Sequence, residues 1–193
     1  MPVINIRGTS GSGKSTLVRR ILDHYGPMKP HFIPKRNRPF YYVMEHLFGG
    51  NPLAIVGHYE TACGGCDTIT DVSDAFAAVR LLHELEGLDV IFEGLLIAAD
   101  VNRTVELHRA GIDLHVLALT TPLDLCVASV NQRRWAKNPE KPPVNPKNTA
   151  SKYRGVELSI PRLRAAKVPV YELCRETAFE KACELLNLND DLL

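Results

Sequence analysis

The residues Gly8-Thr9-Ser10-Gly11-Ser12-Gly13-Lys14-Ser15-Thr16 hold the densest chemistry in the chain. They fit G-x-x-x-x-G-K-[ST], follow the apolar run Val3-Ile4-Asn5-Ile6, and precede Leu17, Val18, Ile21, Leu22 and Tyr25 at helical spacing. Strand, loop and helix in that order are the context in which such a loop cradles phosphate. Glycines let backbone N–H groups turn inward around phosphate oxygens. The helix opening near Lys14 points its positive end at the same anion. Lys14 is expected to reach the β- and γ-phosphates and the Ser15 hydroxyl to ligate Mg²⁺. The nine residues together read as a nucleoside triphosphate cradle. With no N-K-x-D-like guanine motif in sight, ATP is favoured over GTP.

Transfer to a hydroxyl acceptor asks for a carboxylate to take its proton. Three acids fall near expected strand ends: Glu60, Asp67 and Glu93. Glu93 closes an apolar strand and is assigned to the metal, directly or through water. Glu60 and Asp67 compete for general base and substrate contact, and each could equally be a loop-capping or surface acid. Arg133 and Arg134 end a helix just before a long loop. They read either as lid arginines closing on the transferred phosphate or as cations favoured at a helix C-terminus.

Gly57 to Thr68 carries His58, Tyr59, Glu60 and Asp67, which makes it the best candidate for the acceptor site. Residues 26–39 hold Pro27, Pro30, Pro34 and Pro39 with Lys29, Lys35, Arg36 and Arg38, and run into Phe40-Tyr41-Tyr42. Cations interleaved with aromatics can hold a nucleic-acid strand or a base. The alternative is a solvated loop whose aromatics pack on the core. Cys63-x-x-Cys66, with His58 as a third ligand, is an incomplete zinc pattern lacking a second pair. Thiol redox chemistry and small buried residues are the other readings. His46, His83, His108 and His115 have no cluster partner in sequence and read as structural.

The elements that must position these groups alternate. Strands are expected at Val3–Ile6, Leu53–Val56, Leu88–Gly94, Ile112–Leu119 and Val168–Tyr171. Helices are expected after Lys14, from an Asp71 cap to Gly87, from an Asp100 cap to His108, from a Thr121 N-cap to Trp135, over part of 156–166, and from Arg175 to Leu186. Residues 42–47 read as a short helix. Residues 137–155, 19 in all, read as irregular, and the segment around 133–155 as lid-like. The fold class is therefore α/β: a mostly parallel sheet of about five strands flanked by helices.

Composition narrows the setting. The chain has 193 residues, 45% apolar and 23% charged, which suits a single globular domain over 1–193. A net charge of +1 gives no global polyanion signal, so nucleic-acid contact must come from local patches. No apolar run is long enough to span a bilayer. The N-terminus enters a strand at once, so no signal peptide is expected. Five cysteines beside a nucleotide motif read as thiols in a reducing compartment, the cytoplasm.

Through its phosphate-loop motif the chain resembles the small P-loop kinase superfamily, and its strand–helix order extends that resemblance over most of its length. A narrower resemblance rests on Gly57-His58-Tyr59-Glu60-Thr61-Ala62-Cys63-Gly64-Gly65-Cys66-Asp67-Thr68-Ile69, Phe92-Glu93-Gly94 and Pro143-Val144-Asn145-Pro146-Lys147-Asn148. These segments are similar to bacteriophage 5-hydroxymethyl-deoxyuridine DNA kinases, a group associated with DNA hypermodification. The resemblance implies a P-loop kinase fold and an ATP- and Mg²⁺-dependent transfer to the hydroxymethyl group of a pyrimidine in phage DNA, in the host cytoplasm. Of the site residues it carries over only Gly8, Gly13, Lys14 and Ser15. A DNA-base kinase must extrude its base or use an accessible one, with Tyr41, Tyr42 or Tyr59 to stack on it and Arg36 and Arg38 to meet phosphate. Two rivals stand beside it: a kinase of a free nucleoside, nucleotide or other metabolite, and a nucleotide-binding switch that hydrolyses slowly.

Overall fold

The computed structural model describes residues 1–61 and 64–188. Seven strands form one sheet: β1 (Val3–Arg7), β2 (Lys29–His31), β3 (Tyr41–Met44), β4 (Leu53–Val56), β5 (Asp89–Glu93), β6 (Leu114–Leu119) and β7 (Val170–Leu173). Their order is β2-β3-β4-β5-β1-β6-β7. The run from β4 to β7 is parallel, with β1 at its centre, while β2 and β3 join antiparallel at one edge. The helices are α1 (Lys14–Leu22), α2 (Val72–Glu84), α3 (Leu95–Ala99), α4 (Asn102–Arg109), α5 (Leu123–Lys137), α6 (Pro146–Ala165) and α7 (Arg175–Leu186). Among the described residues no helix is long and apolar enough to cross a membrane.

Side-chain alternation along β1 shows how the core is divided. Ile4 and Ile6 pack with Leu17, Val18 and Ile21 of α1 and Ala178, Phe179 and Ala182 of α7. Val3 joins the opposite layer, with Phe76, Val79 and Leu82 of α2, Val105 of α4 and Leu163 of α6. Each large aliphatic side chain buried this way contributes about 1.5–3 kcal/mol. On that second face Arg7 is fully buried at the end of β1, and all five of its N–H donors are used. They reach Asn5 Oδ1, Ala98 O, Ser159 Oγ, Asp100 O and Thr104 Oγ1 at 2.6–3.1 Å. Burial draws the Arg7 pKa down to about 10. One cation thus fastens α3, α4 and α6 to the strand that feeds the phosphate-loop motif.

The structure departs from the sequence reading in several places. The sheet has seven strands where about five are expected. One extra strand, β2, comes from the basic Pro-rich segment, and the other, Tyr41–Met44, stands where residues 42–47 read as a helix. Tyr42 and Met44 point into the core while Tyr41 and Val43 are half-buried, the period of two that a half-buried strand shows. Residues 146–155, read as irregular, open the 20-residue α6. Asn145 accepts from the Lys147 N–H as N-cap and Pro146 sits at the first turn, so the prolines set the helix start rather than prevent it. The irregular part of the lid-like segment therefore shrinks to 138–145. Finally, α5 begins at Leu123, and Thr121 is not its cap; the Thr121 hydroxyl donates to Ser12 O at 2.8 Å.

Candidate nucleotide-binding active site

β1 ends at Arg7, and residues 8–13 cross to the first turn of α1 at the carboxyl edge of the sheet, where open α/β sheets bind ligands. Gly13 caps α1 at φ 101°, a left-handed conformation that favours glycine. A Cβ there would also lie 2.6 Å from Arg175 Nε. The Ser12 carbonyl accepts from both Thr121 Oγ1 and Arg175 Nε, the latter at 3.0 Å. Thr9 Oγ1 and Ser12 Oγ are buried with no hydrogen-bond partner among the described residues. The Lys14 ammonium turns back onto the Gly8 and Thr9 carbonyls at 2.9 and 3.2 Å.

Glu93, at the end of the neighbouring β5, meets this loop. Ser15 Oγ donates to Glu93 Oε1 at 2.7 Å, and Lys14 Nζ lies 4.0 Å from Oε2. The carboxylate is 1% exposed. Burial pushes its pKa above the usual range and outweighs the opposing pull of Lys14 and Ser15. Above these residues lies a cavity of about 280 Å³, lined by the loop, by Asp67 and Gly64, and by Ser129, Arg133 and Arg175. A hydroxyl beside a carboxylate is a hard-oxygen pair that suits Mg²⁺, which binds through one or two protein groups and substrate phosphates. Three cations and a helix N-terminus facing one cavity suit a polyphosphate. The residues present fit both groups.

The loop expected to hold the acceptor closes on itself. His58 and Gly65 exchange backbone hydrogen bonds at 3.0 and 3.1 Å. Gly65, at φ 87°, lies so close to Glu93 that a Cβ would sit 2.5 Å from the Glu93 carbonyl. That approach brings Asp67 to the cavity. Asp67 Oδ1 accepts from the Leu95 N–H at 2.6 Å, which anchors the carboxylate at the start of α3.

The sequence-named residues divide. Gly8 to Thr16, Glu93, Asp67 and Arg133 converge at the loop and its cavity. Arg134 does not line it; it is half-buried, with Nε enclosed and without a hydrogen-bond partner among the described residues. Glu60 is exposed and lies near the Tyr42 hydroxyl, whose pKa it helps to raise after burial, the larger cause. Tyr42, His58 and Tyr59 are buried at 1–4% exposure and offer no free face for stacking. They are core residues, with the Tyr59 ring against Gly64 and His58 Nδ1 3.5 Å from the Tyr42 hydroxyl. Tyr41 already stacks on His31 at 4.5 Å. Arg36 is consumed by Thr68, and Arg38 lines a second cavity. Cys63 lies outside the described residues. Cys66 is buried among core residues, donates to the Val56 carbonyl at 3.3 Å, and burial pushes its thiol pKa well up.

Two residues at the cavity escaped the sequence reading. Ser129 precedes Arg133 by one helical turn on α5, so the i, i+4 spacing was available as a signal. Arg175 is 163 residues from Ser12. Its only signal is that β7, like β1 and β5, delivers the residues after it to the carboxyl edge of the sheet.

The fold and this loop define a class: an α/β protein whose mostly parallel sheet presents a glycine-rich, cation-lined cavity at the end of its central strand. No family model matches the chain. It belongs to the family of phage 5-hmdU DNA kinases. The 5-hmdU DNA kinase of Pseudomonas phage PaMx11 is 53% identical over 184 residues, covering 95% of this chain and 96% of that protein. That of Pseudomonas phage M6 is 28% identical and covers 94% of each chain. That of Delftia phage PhiW-14 is 29% identical over 82% of this chain and 62% of its own length.

Proposed function

We propose that the chain is an ATP- and Mg²⁺-dependent P-loop kinase that phosphorylates the 5-hydroxymethyl group of hydroxymethyluracil in phage DNA. One observation carries the reading beyond family membership: Lys14, Ser15 and Glu93 interlock at the floor of a cavity that Asp67, Arg133 and Arg175 also line. That is a donor half and an acceptor half facing one space. The names of three relatives, one 53% identical, supply the acceptor.

In this mechanism the loop N–H groups and the start of α1 hold the triphosphate. Lys14 exchanges the Gly8 and Thr9 carbonyls for phosphate oxygens. Ser15 and Glu93 would hold Mg²⁺, which would supply positive charge against the phosphates. Arg133 and Arg175 face the cavity as cations for the charge on the transferred group. The Asp67 carboxylate, steadied by Leu95 N–H, takes the hydroxymethyl proton as the new O–P bond forms and the bond to the β-phosphate breaks. The buried tyrosines shape the acceptor loop rather than stack on the base.

The test incubates the protein with γ-labelled ATP and, in parallel, hydroxymethyluracil DNA, ordinary DNA, and free nucleosides and nucleotides. Label on hydroxymethyluracil DNA alone is the expected result. Label only on a free nucleoside or nucleotide would sink the acceptor assignment, and acceptor-independent phosphate release would favour a switch.

A further inference from the structure

The structure holds a second polar cavity one residue away from the first. It measures about 480 Å³ and lies between residues 33–40 and 68–74. The two cavities share the turn Cys66–Thr68: Asp67 lines the first and Thr68 the second. We propose that the cavity formed by Lys35, Arg36, Arg38 and Thr68 seats a DNA-backbone phosphate beside the target nucleotide. The inference rests on the DNA-kinase reading above and adds where the polymer, as distinct from its modified base, is held.

Three observations carry it. The first is charge. Between Asp23 and Glu45 the chain has no acid, yet it holds Lys29, Lys35, Arg36 and Arg38. In a protein of net charge +1 this is the kind of local patch that nucleic-acid binding requires. The second is a division of labour among the cations. Arg36 is spent inside the protein: its guanidinium donates to Thr68 O and Oγ1 at 2.9 and 2.8 Å and lies 5.5 Å from the Phe40 ring centre. It thereby fastens the basic segment to the turn that carries Asp67. Lys35 and Arg38 are exposed at the cavity, and among the described residues neither side chain is in an ion pair. The third is backbone geometry. Lys35 adopts φ 67°, a left-handed conformation uncommon for a residue with a Cβ, within a turn closed by Arg36 N–H to Ile33 O. The segment is a built turn on a β-hairpin, not a loose tail. One acid, Asp74, faces the cavity and opposes the cations.

A phosphate is the ligand this chemistry recognises, because guanidinium and ammonium donors meet phosphate oxygens without reading a base. The double variant Lys35→Ala/Arg38→Ala tests it, since both side chains are exposed and the anchoring Arg36 is left in place. Fluorescence anisotropy with oligonucleotides that carry thymine in place of hydroxymethyluracil, single-stranded and duplex, reads binding independently of chemistry. Steady-state transfer to hydroxymethyluracil DNA reads KM against kcat. The double variant is expected to weaken DNA binding and raise the DNA KM about tenfold or more, with kcat and the ATP KM within about twofold. The slope of log affinity against log salt should fall by about one for each cation removed. Asp74→Asn should act in the opposite direction and tighten DNA binding. Unchanged affinity and salt slope in the double variant would overturn the inference, as would a loss confined to kcat. A wild-type protein that binds DNA through these residues but labels no hydroxymethyluracil would overturn the acceptor assignment and leave the phosphate seat standing.

Discussion

The two sides of the cavity are built differently. On the donor side the phosphate loop is interlocked around a buried lysine and a buried carboxylate. Lys14 is held by Gly8 and Thr9, Ser15 by Glu93, and the Ser12 carbonyl by Thr121 and Arg175. On the acceptor side the described part of the loop from Gly57 to Thr68 is held by its own His58–Gly65 pairing and by bonds to other segments: Arg19 to the Tyr59 and Thr61 carbonyls, Arg36 to Thr68 and Leu95 to Asp67. A triphosphate is the same in every turnover and rewards a rigid cradle. A polymer must enter, present one nucleotide and leave, which suits an exposed edge fastened at chosen points. The comparison therefore predicts large, specific losses from donor-side changes and graded, substrate-dependent losses from acceptor-side ones.

The sharpest break is at Lys14. Lys14→Ala should lower transfer to hydroxymethyluracil DNA by about a thousandfold or more, since it removes a cation from the transferred phosphoryl group. It removes little core area, so the melting temperature should stay within a few degrees of wild type. Near-wild-type transfer would contradict the donor assignment. Next is Asp67→Asn, which keeps an oxygen for the Leu95 N–H and so keeps the turn. It should lower kcat by about 10²–10⁴-fold with the ATP KM unchanged. Glu60→Gln, on an exposed side chain away from the cavity, should cost less than about tenfold. The reverse order would exchange their roles.

Glu93 separates stability from activity. Burial raises its folded-state pKa above the unfolded value near 4.5. At low pH both states are protonated and the group costs nothing. As pH rises from the unfolded value through the folded one, ionising the buried carboxyl costs the folded state stability, and that cost is complete above the window. Glu93→Gln removes the cost while leaving an acceptor for Ser15. Without nucleotide the variant should therefore melt no lower than wild type at pH 7–8. Its advantage should shrink toward pH 4.5, while Mg²⁺-dependent transfer falls by about 10²-fold or more. Thermal melts across pH, paired with the labelling assay, check both halves.

The same contrast explains what the sequence disclosed. The donor side is local in sequence. Strand, loop and helix follow one another from Val3 to Leu22, so the motif, its flanks and the helix were legible together, and Glu93 followed from the rule that an acid closes the next apolar strand. Helix α7 was legible from Arg175 to Leu186 because its apolar residues keep helical period. What it positions was not, since Arg175 meets Ser12 only through the order of the strands. On the acceptor side, proline density masked both β2 and the start of α6. The residue types there also misled. Tyr42, His58 and Tyr59 look like ligand-stacking groups in sequence, but the short β3 strand and the His58–Gly65 closure turn them inward. Whether an aromatic faces a base or a core depends on strand register, and a one-residue change of register would reverse it.

The smallest expected effect probes the link between the two regions of the acceptor side. Thr68→Val removes the hydroxyl that accepts from Arg36 but keeps the Thr68 carbonyl, which accepts a second bond from the same guanidinium. One hydrogen bond to a charged donor is lost at a partly exposed site, about 1–1.5 kcal/mol, and the side-chain shape is preserved. If Arg36 only packs the loop, the loss should appear as a small drop in melting temperature with DNA and ATP kinetics intact. If Arg36 sets the basic segment against the turn that carries Asp67, the DNA KM should rise several-fold while kcat and the ATP KM hold. A DNA-specific change of that size, from a substitution that touches no DNA and removes no charge, would show that the fastening of the acceptor edge is part of how the polymer is presented to the donor cradle.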